Sequence, residues 1–275
     1  MNQKVSVVIL TSRGARHSYF VRELARHFSV SGIVIDDRYH FGDRLFSFLK
    51  INGWNPFRMF YSLGLKRRLT PYEKRDQRIE DNFFSSGEEE NEFPAGIPVL
   101  KSRDPNGGET LAWVRGLRPD VIAVFGTRLI REPLLSSAQK GALNLHTGLS
   151  PFYRGGQCTF WCLYEGDLEH VGVTVHYLNQ KIDGGDIVYT AKPQVEPADT
   201  VRSLECKLVQ LGTERMIQAI RGLHAGTAPR TAQREKGKLF LSKMFTLEKR
   251  IELEEKLEKG WLDRLLKKTS REVAA

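Results

Sequence analysis

The stretch 4-KVSVVILTSRGARHSYFVRELARHFSVSGIVIDD-37 decides the fold class. Its first seven residues are an apolar run rich in β-branched side chains. A polar turn, TSRG, follows, and RHSYFVRELARHF then places apolar residues at helical spacing. After that helix, 31-SGIVIDD-37 is a second strand of the buried type. Strand, helix and strand in this order favour a parallel pair joined by a right-handed crossover. The first loop holds one glycine, Gly14, so the G-x-G-x-x-G signature of dinucleotide binding is absent.

The same alternation resumes further along the chain. A strand at 96-GIPVLKS-102, a helix at 107-GGETLAWVRGL-117 and a central strand at 120-DVIAVFG-126 precede a helix at 131-REPLLSSAQ-139 and a strand at 141-GALNLH-146. Four or five parallel strands follow from this pattern. Residues 38–95 break it as an insertion, with helices expected around 43-DRLFSFLK-50 and 71-PYEKRDQRIEDNFF-84. Beyond it, 158-CTFWCLYEG-166 reads as a helix. The runs 171-VGVTVHYL-178 and 187-IVYTAKPQV-195 read as a hairpin joined by a long loop. A helix from Thr200 to about Leu223, a short strand at 238-KLFLS-242 and a charged amphipathic helix over 246–268 complete the chain. Residues 1–225 are expected to form one domain and 226–275 a small extension, the tail helix docking on its own chain or on a second subunit as a homodimer contact.

At 275 residues, with 40% apolar and 27% charged side chains, the composition is that of a globular protein with material for a core. The N-terminus has too short an apolar region for a signal peptide, and no stretch approaches the ~18 apolar residues of a membrane span. A cytoplasmic protein with no membrane partner is therefore expected, and the tail's mixture of both charge signs agrees. Cys158, Cys162 and Cys206 are too few and odd in number for a disulfide framework, and no metal site is expected. The net charge of +9 is uneven, with 65-LKRRLTPYEKRDQR-78 basic and 79-IEDNFFSSGEEENEF-93 acidic.

The chemistry is concentrated in 142-ALNLHTGLSPFYRGG-156. Asn144 and His146 lie two apart on a strand and so point to one side. They occupy its carboxyl end, where open α/β sheets place their ligands. Asp183 follows in 182-IDGGD-186, whose glycines allow close backbone approach. An Asn donor for an oxygen gaining charge, a His for proton movement and an Asp to hold the ring suffice for transfer of an acyl-like group to an amine. His176 shares a side with Thr174 and either lines this site or packs within the strand.

Asn144-x-His146, then Pro151-x-x-Arg154-Gly155, then 172-GVTVHYLNQKIDGGDIV-188, resembles the folate-dependent formyltransferase family in three ordered motifs over about residues 96–225. The resemblance implies an α/β, Rossmann-like formyltransferase fold: a mostly parallel central sheet flanked by helices, here with a helical insertion and a small C-terminal helical extension. It implies N10-formyltetrahydrofolate as co-substrate and Asn144, His146 and Asp183 as catalytic residues. Phe125, Gly126, Thr127, Arg128, Leu129, Ile130, Leu178 and Ile182 would face the folate, and Gly148, Ser150, Tyr153 and Arg154 the acceptor. Many members have Ser where Gly148 stands and Leu where Ser150 stands.

The acceptor is expected to be a small primary amine, foremost a nucleotide-linked amino sugar. Arg154 and Arg128 are candidates to meet its diphosphate, with ion pairing inside the chain as their competing role. A tRNA acceptor is not expected: residues 226–275 look too short and too helical for the further barrel of tRNA-binding members, and the basic aromatic run 53-GWNPFRMFYSLGLKRRL-69 adjoins an acidic one. A formyltetrahydrofolate hydrolase and a non-catalytic binding module of the same fold stay open.

Overall fold

The structure is a computed structural model that describes residues 5–37, 55–84 and 93–273. β1 (Ser6–Thr11) and β2 (Ser29–Asp36) flank α1 (Ala15–His27) and pair in parallel, as their sequence requires. Val7, Val8, Ile9 and Leu10 are all fully buried, because helices cover both faces of the strand. β3 (Val99–Ser102), α3 (Gly108–Leu117), β4 (Val121–Phe125) and β5 (Gly141–His146) extend the parallel sheet to five strands. β7 (Val173–Tyr177) and β8 (Ile187–Ala191) add the expected hairpin antiparallel to β5, giving the order β3-β2-β1-β4-β5-β7-β8. The chain builds outward from β1 through β3 and then returns to β4 on the other side. The carboxyl ends of β1 and β4 therefore form the crevice of a switch point.

Alternate strand residues fill two cores. Val7, Ile9, Val121, Ala123, Leu143 and Leu145 face α1, α4 (Cys158–Glu165) and α5 (Val201–Ala225). Val8, Leu10, Ile122, Val124 and Ala142 face Val114 of α3 and the Leu134–Leu135 segment. α5 begins where expected: the Thr200 hydroxyl accepts from the Ser203 amide, and the Ser203 hydroxyl accepts from the Thr200 amide.

Some elements differ from the sequence reading. The helix expected over 131–139 shrinks to a single 3-10 turn, Leu135–Ser137. Glu132 accepts from the Ser136 amide, and the Ser137 hydroxyl donates to the Pro133 carbonyl, so local side chains take backbone partners a helix would use. The helix expected from Pro71 is the second half of α2 (Pro56–Phe84), in which Pro71 is internal. Packing overrides the proline: Leu65 and Leu69 bury against Ile251, with Tyr72 and Leu247 alongside. The helix expected around 43–50 lies outside the described residues.

The tail is two helices, α6 (Leu247–Glu258) and α7 (Trp261–Val273), because Gly260 takes a left-handed φ of 74° that ends the first. Its apolar stripe docks on its own chain, Ile251 on α2 and Trp261 and Leu265 against Gly166. Finally, β6 (Tyr153–Gly155) pairs in parallel with β9 (Lys238–Phe240), tying the loop after β5 to the C-terminal segment.

Leu69→Ala leaves a cavity between α2 and α6, and urea unfolding should register a loss of about 2–5 kcal/mol. A loss within experimental error would show that this contact does not fix the insertion helix to the tail.

Candidate active site

β5 ends at His146, and its pleat turns Asn144 and His146 away from the Leu143 and Leu145 core. The antiparallel partner β7 sets His176 opposite Asn144 and Thr174 opposite His146. His176 Nδ1 donates to the Tyr177 carbonyl, which fixes the tautomer of the neutral ring. Its Nε2 then accepts from Asn144 Nδ2 at 3.1 Å, which orients the amide and leaves the second N–H for the cleft. The same Nε2 lies 3.5 Å from Asp183 Oδ1, so Asn144 and Asp183 border one nitrogen.

His146 is held from behind. Its Nε2 lies 3.0 Å from the Tyr153 carbonyl, which can only accept, so Nε2 carries hydrogen and Nδ1 faces Asp183 Oδ2 at 3.6 Å. Cys158 Sγ sits 3.6 Å from the same Nε2. Burial, with Asp183 nearby, pushes that thiol well above its ordinary value, so it packs as a neutral group.

Asp183 occupies a left-handed conformation, φ 44°, on the β7–β8 loop. Asn179 Nδ2 donates to the Gly184 carbonyl, and Gln233 Nε2 lies within reach of the Asp183 and Gly185 carbonyls. The carboxylate accepts from the Gly155 amide at 2.8 Å. Burial alone would raise its pKa, but the His146 and His176 rings and the Gly155 amide hold it well below the usual carboxylate range.

The three residues border a cleft of about 610 Å³. All eight residues expected to face a folate line it: Phe125–Ile130, Leu178 and Ile182. Gly126 has φ 69°, and a Cβ there would meet His17 Cε1 at 2.6 Å, so the bare backbone forms this part of the wall. Arg128 is committed to Asp36 by its backbone amide and by two guanidinium contacts, which gives it a structural role in place of a diphosphate-binding one.

The four residues expected at the acceptor do not line the cleft. Gly148 is pressed against His146 and Cys158, and its carbonyl accepts from the Thr174 hydroxyl. Ser150 is buried, its amide donating to Thr174. Tyr153 is buried with its hydroxyl 2.7 Å from Glu165 and 3.0 Å from Asp167, and serves His146 through its carbonyl. Arg154 reaches toward the Gly237 carbonyl, and its buried Nε has no partner among the described residues. The sequence reading missed Ser12 and Arg13, which line the cleft from the loop after β1, and Arg16 and His17, which line it from the first turn of α1. The switch-point rule was the available signal, since it puts that loop opposite Asn144. Ser242, beyond the expected boundary at residue 225, also lines it.

A Cβ at Gly148 would stand 2.4 Å from His146 Nε2 and 2.8 Å from Cys158 Cβ. Gly148→Ala should therefore cost about 1–3 kcal/mol in an unfolding titration, as overpacking does. Because the folded pKa of Asp183 lies below its ordinary 3.8, its ionised form contributes stability fully above that value, and the contribution fades as pH falls through the lower folded value. The stability gap between the wild type and Asp183→Asn should narrow as pH drops below 3.8. A gap that widens in acid would contradict the assignment.

The formyl transferase family model matches residues 73–220. Methionyl-tRNA formyltransferase of Latilactobacillus sakei is 36% identical over 141 residues, 50% of this chain and 44% of that protein. The enzyme of the same name from Anaeromyxobacter sp. strain K is 35% identical over 133 residues, 48% and 42% of the two chains. The matched region thus spans less than half the length of these relatives. Among solved structures, glycinamide ribonucleotide transformylase 1 from Symbiobacterium toebii superposes with a TM-score of 0.56 at 18% identity, covering 85% of this chain and 95% of that one. A sugar N-formyltransferase from a Shewanella species gives 0.53 at 15%, covering 90% and 86%. With the fold, the ordered motifs and the family match in agreement, this chain belongs to the formyl transferase family.

Proposed function

We propose that this protein transfers a formyl group from N10-formyltetrahydrofolate to a primary amine. The observation that carries the reading is the convergence of Asn144, His146 and Asp183 on one cleft at the carboxyl end of β5. The cleft suits the co-substrate. Its volume of about 610 Å³ lies within the range of ligand pockets. Phe125, Leu129, Ile130, Leu178 and Ile182 offer apolar walls, and the chain around Gly126 offers bare backbone for a flat polar ring.

N10-formyltetrahydrofolate, when bound, supplies a formyl carbon open to attack by an amine. Asn144 Nδ2, held by His176, donates to the formyl oxygen as it gains charge. His146 Nδ1, facing the ionised Asp183, takes the proton that the amine gives up and can return it to N10 as the formyl carbon–N10 bond breaks and tetrahydrofolate leaves.

The acceptor we favour is a small phosphorylated amine, foremost a nucleotide-linked amino sugar. Arg13 and Lys181 are exposed cations on the cleft wall, suited to a diphosphate; Arg13 makes a long, exposed contact with Asp37 at 4.0 Å, whereas Arg16 is paired closely with Glu205 and Arg128 with Asp36. A charged tRNA is the second reading, favoured by the 36% identity to a methionyl-tRNA formyltransferase over half of this chain.

The test is to follow tetrahydrofolate release from N10-formyltetrahydrofolate with a panel of nucleotide-linked amino sugars, charged initiator tRNA and no acceptor. Acceptor-dependent release with a sugar supports the favoured reading, release with tRNA alone supports the second, and release without acceptor shows a hydrolase. Asn144→Ala should lower turnover ~100–1,000-fold and His146→Ala ~100–10,000-fold. Near-full turnover by either variant, with folding unchanged, would remove that residue from the chemistry.

A further inference from the structure

The loop between β7 and β8 is held by its carbonyls. Asp183, Gly184 and Gly185 are consecutive, and each presents its carbonyl to a side-chain amide. Asn179, within the loop, donates to Gly184 at 3.1 Å. Gln233 Nε2 donates to the carbonyls of Asp183 at 2.9 Å and Gly185 at 2.6 Å, one hydrogen to each. Ser150 Oγ approaches the Asp183 carbonyl as well, at the longer distance of 3.5 Å.

Gln233 is itself placed by main-chain pairing. Thr231 and Ile187 exchange both N–H···O bonds, at 2.8 and 3.0 Å, in an antiparallel bridge at the start of β8. That register sets Gln233 opposite Gly185. Arg230 adds an ion pair to Asp186 at 2.9 Å and lies over the Tyr177 ring at 4.2 Å. Five residues beyond Gln233, the Lys238 amide donates to the Phe152 carbonyl where β9 begins to pair with β6. One segment therefore runs from the Asp183 backbone to the strand whose Gly155 amide holds the Asp183 carboxylate. It lies outside residues 73–220, which the family model matches.

Asp183 needs such a hold for a conformational reason. Its φ of 44° lies in the left-handed region, which residues with a side chain occupy at a cost and keep only when their surroundings enforce it. The direction of the carboxylate follows from that φ. A return to ordinary backbone geometry would swing it away from His146 Nδ1, at 3.6 Å, and His176 Nε2, at 3.5 Å. We propose that Gln233 is a positioning residue for formyl transfer: by clamping the carbonyls on either side of Gly184 it keeps Asp183 left-handed, with its carboxylate aimed at His146. The proposal rests on the formyl-transfer reading above. Gln233 does not line the cleft, so it acts through Asp183.

The test is a double-mutant cycle on the full chain between Gln233→Met, which keeps the side chain's length without its donors, and Asp183→Asn, which keeps the backbone carbonyl without the charge. Gln233→Met alone should lower kcat roughly 10–100-fold while both KM values stay within about twofold, as lost alignment of the reacting complex does. In the Asp183→Asn background the same change should cost less than about twofold, because no charged group is left to aim. Near-wild-type kcat in Gln233→Met, a loss confined to KM, or an equal loss in both backgrounds overturns the proposal. Urea unfolding repeats the comparison without turnover: Gln233→Met should lower the midpoint more in the wild type than in Asp183→Asn, and equal losses overturn the proposal. If the wild type formylates no acceptor while this difference in midpoints persists, the formyl-transfer reading fails and the hold of Gln233 on Asp183 stands.

Discussion

Much of this structure depends on one buried carboxylate. Asp183 is ionised in a place where burial opposes ionisation, and it stays so because two imidazoles and one backbone amide converge on it. Each partner comes from a different element: His146 from β5, His176 from β7 and Gly155 from β6. The requirement to surround that charge fixes the separation of the β5 end, the loop after it and the β7–β8 loop. Removing any one partner leaves a buried charge under-compensated, so the arrangement is a unit and its members should not behave additively.

A second ionic cluster does comparable work for the insertion. Glu80 on α2 and Glu205 on α5 share Arg202, and Arg16 bridges from α1 to Glu205. Two arginines and two glutamates of small exposure balance one another at the margin of the cleft. The long helix is thereby registered against the catalytic half of the molecule at one end and against α6, through Leu65 and Leu69, nearer the other.

The parallel sheet was legible from sequence because its strands are buried on both faces, and continuous runs such as VVIL and VIAVF announce that condition. Asn144, His146 and Asp183 stood out because polar side chains at the end of a buried strand, and an Asp before paired glycines, conflict with simple packing. His176 was left open, since one strand alone could not reveal its register against Asn144. Gln233 carried no signal: it acts through contacts with backbone carbonyls fifty residues away in sequence. Tyr153 and Arg154 followed the family motif into the acceptor list, but a motif records that residues recur and not which way their side chains point. The helix expected over 131–139 is absent for a local reason, as the Glu132 carboxylate takes the Ser136 amide and the Ser137 hydroxyl takes the Pro133 carbonyl.

The parallel pairing of β6 with β9 joins residues about eighty-five apart, with the Gly156 amide donating to the Phe240 carbonyl and the Lys238 amide to the Phe152 carbonyl. Parallel pairs of such separation close late, because the entropy of bringing distant segments together must be overcome before their contacts form. During synthesis the sheet through β8 can assemble while residues 238–240 have yet to emerge. The loop that presents Gly155 to Asp183 would then lack its brace, and the nascent chain would be folded before it is competent.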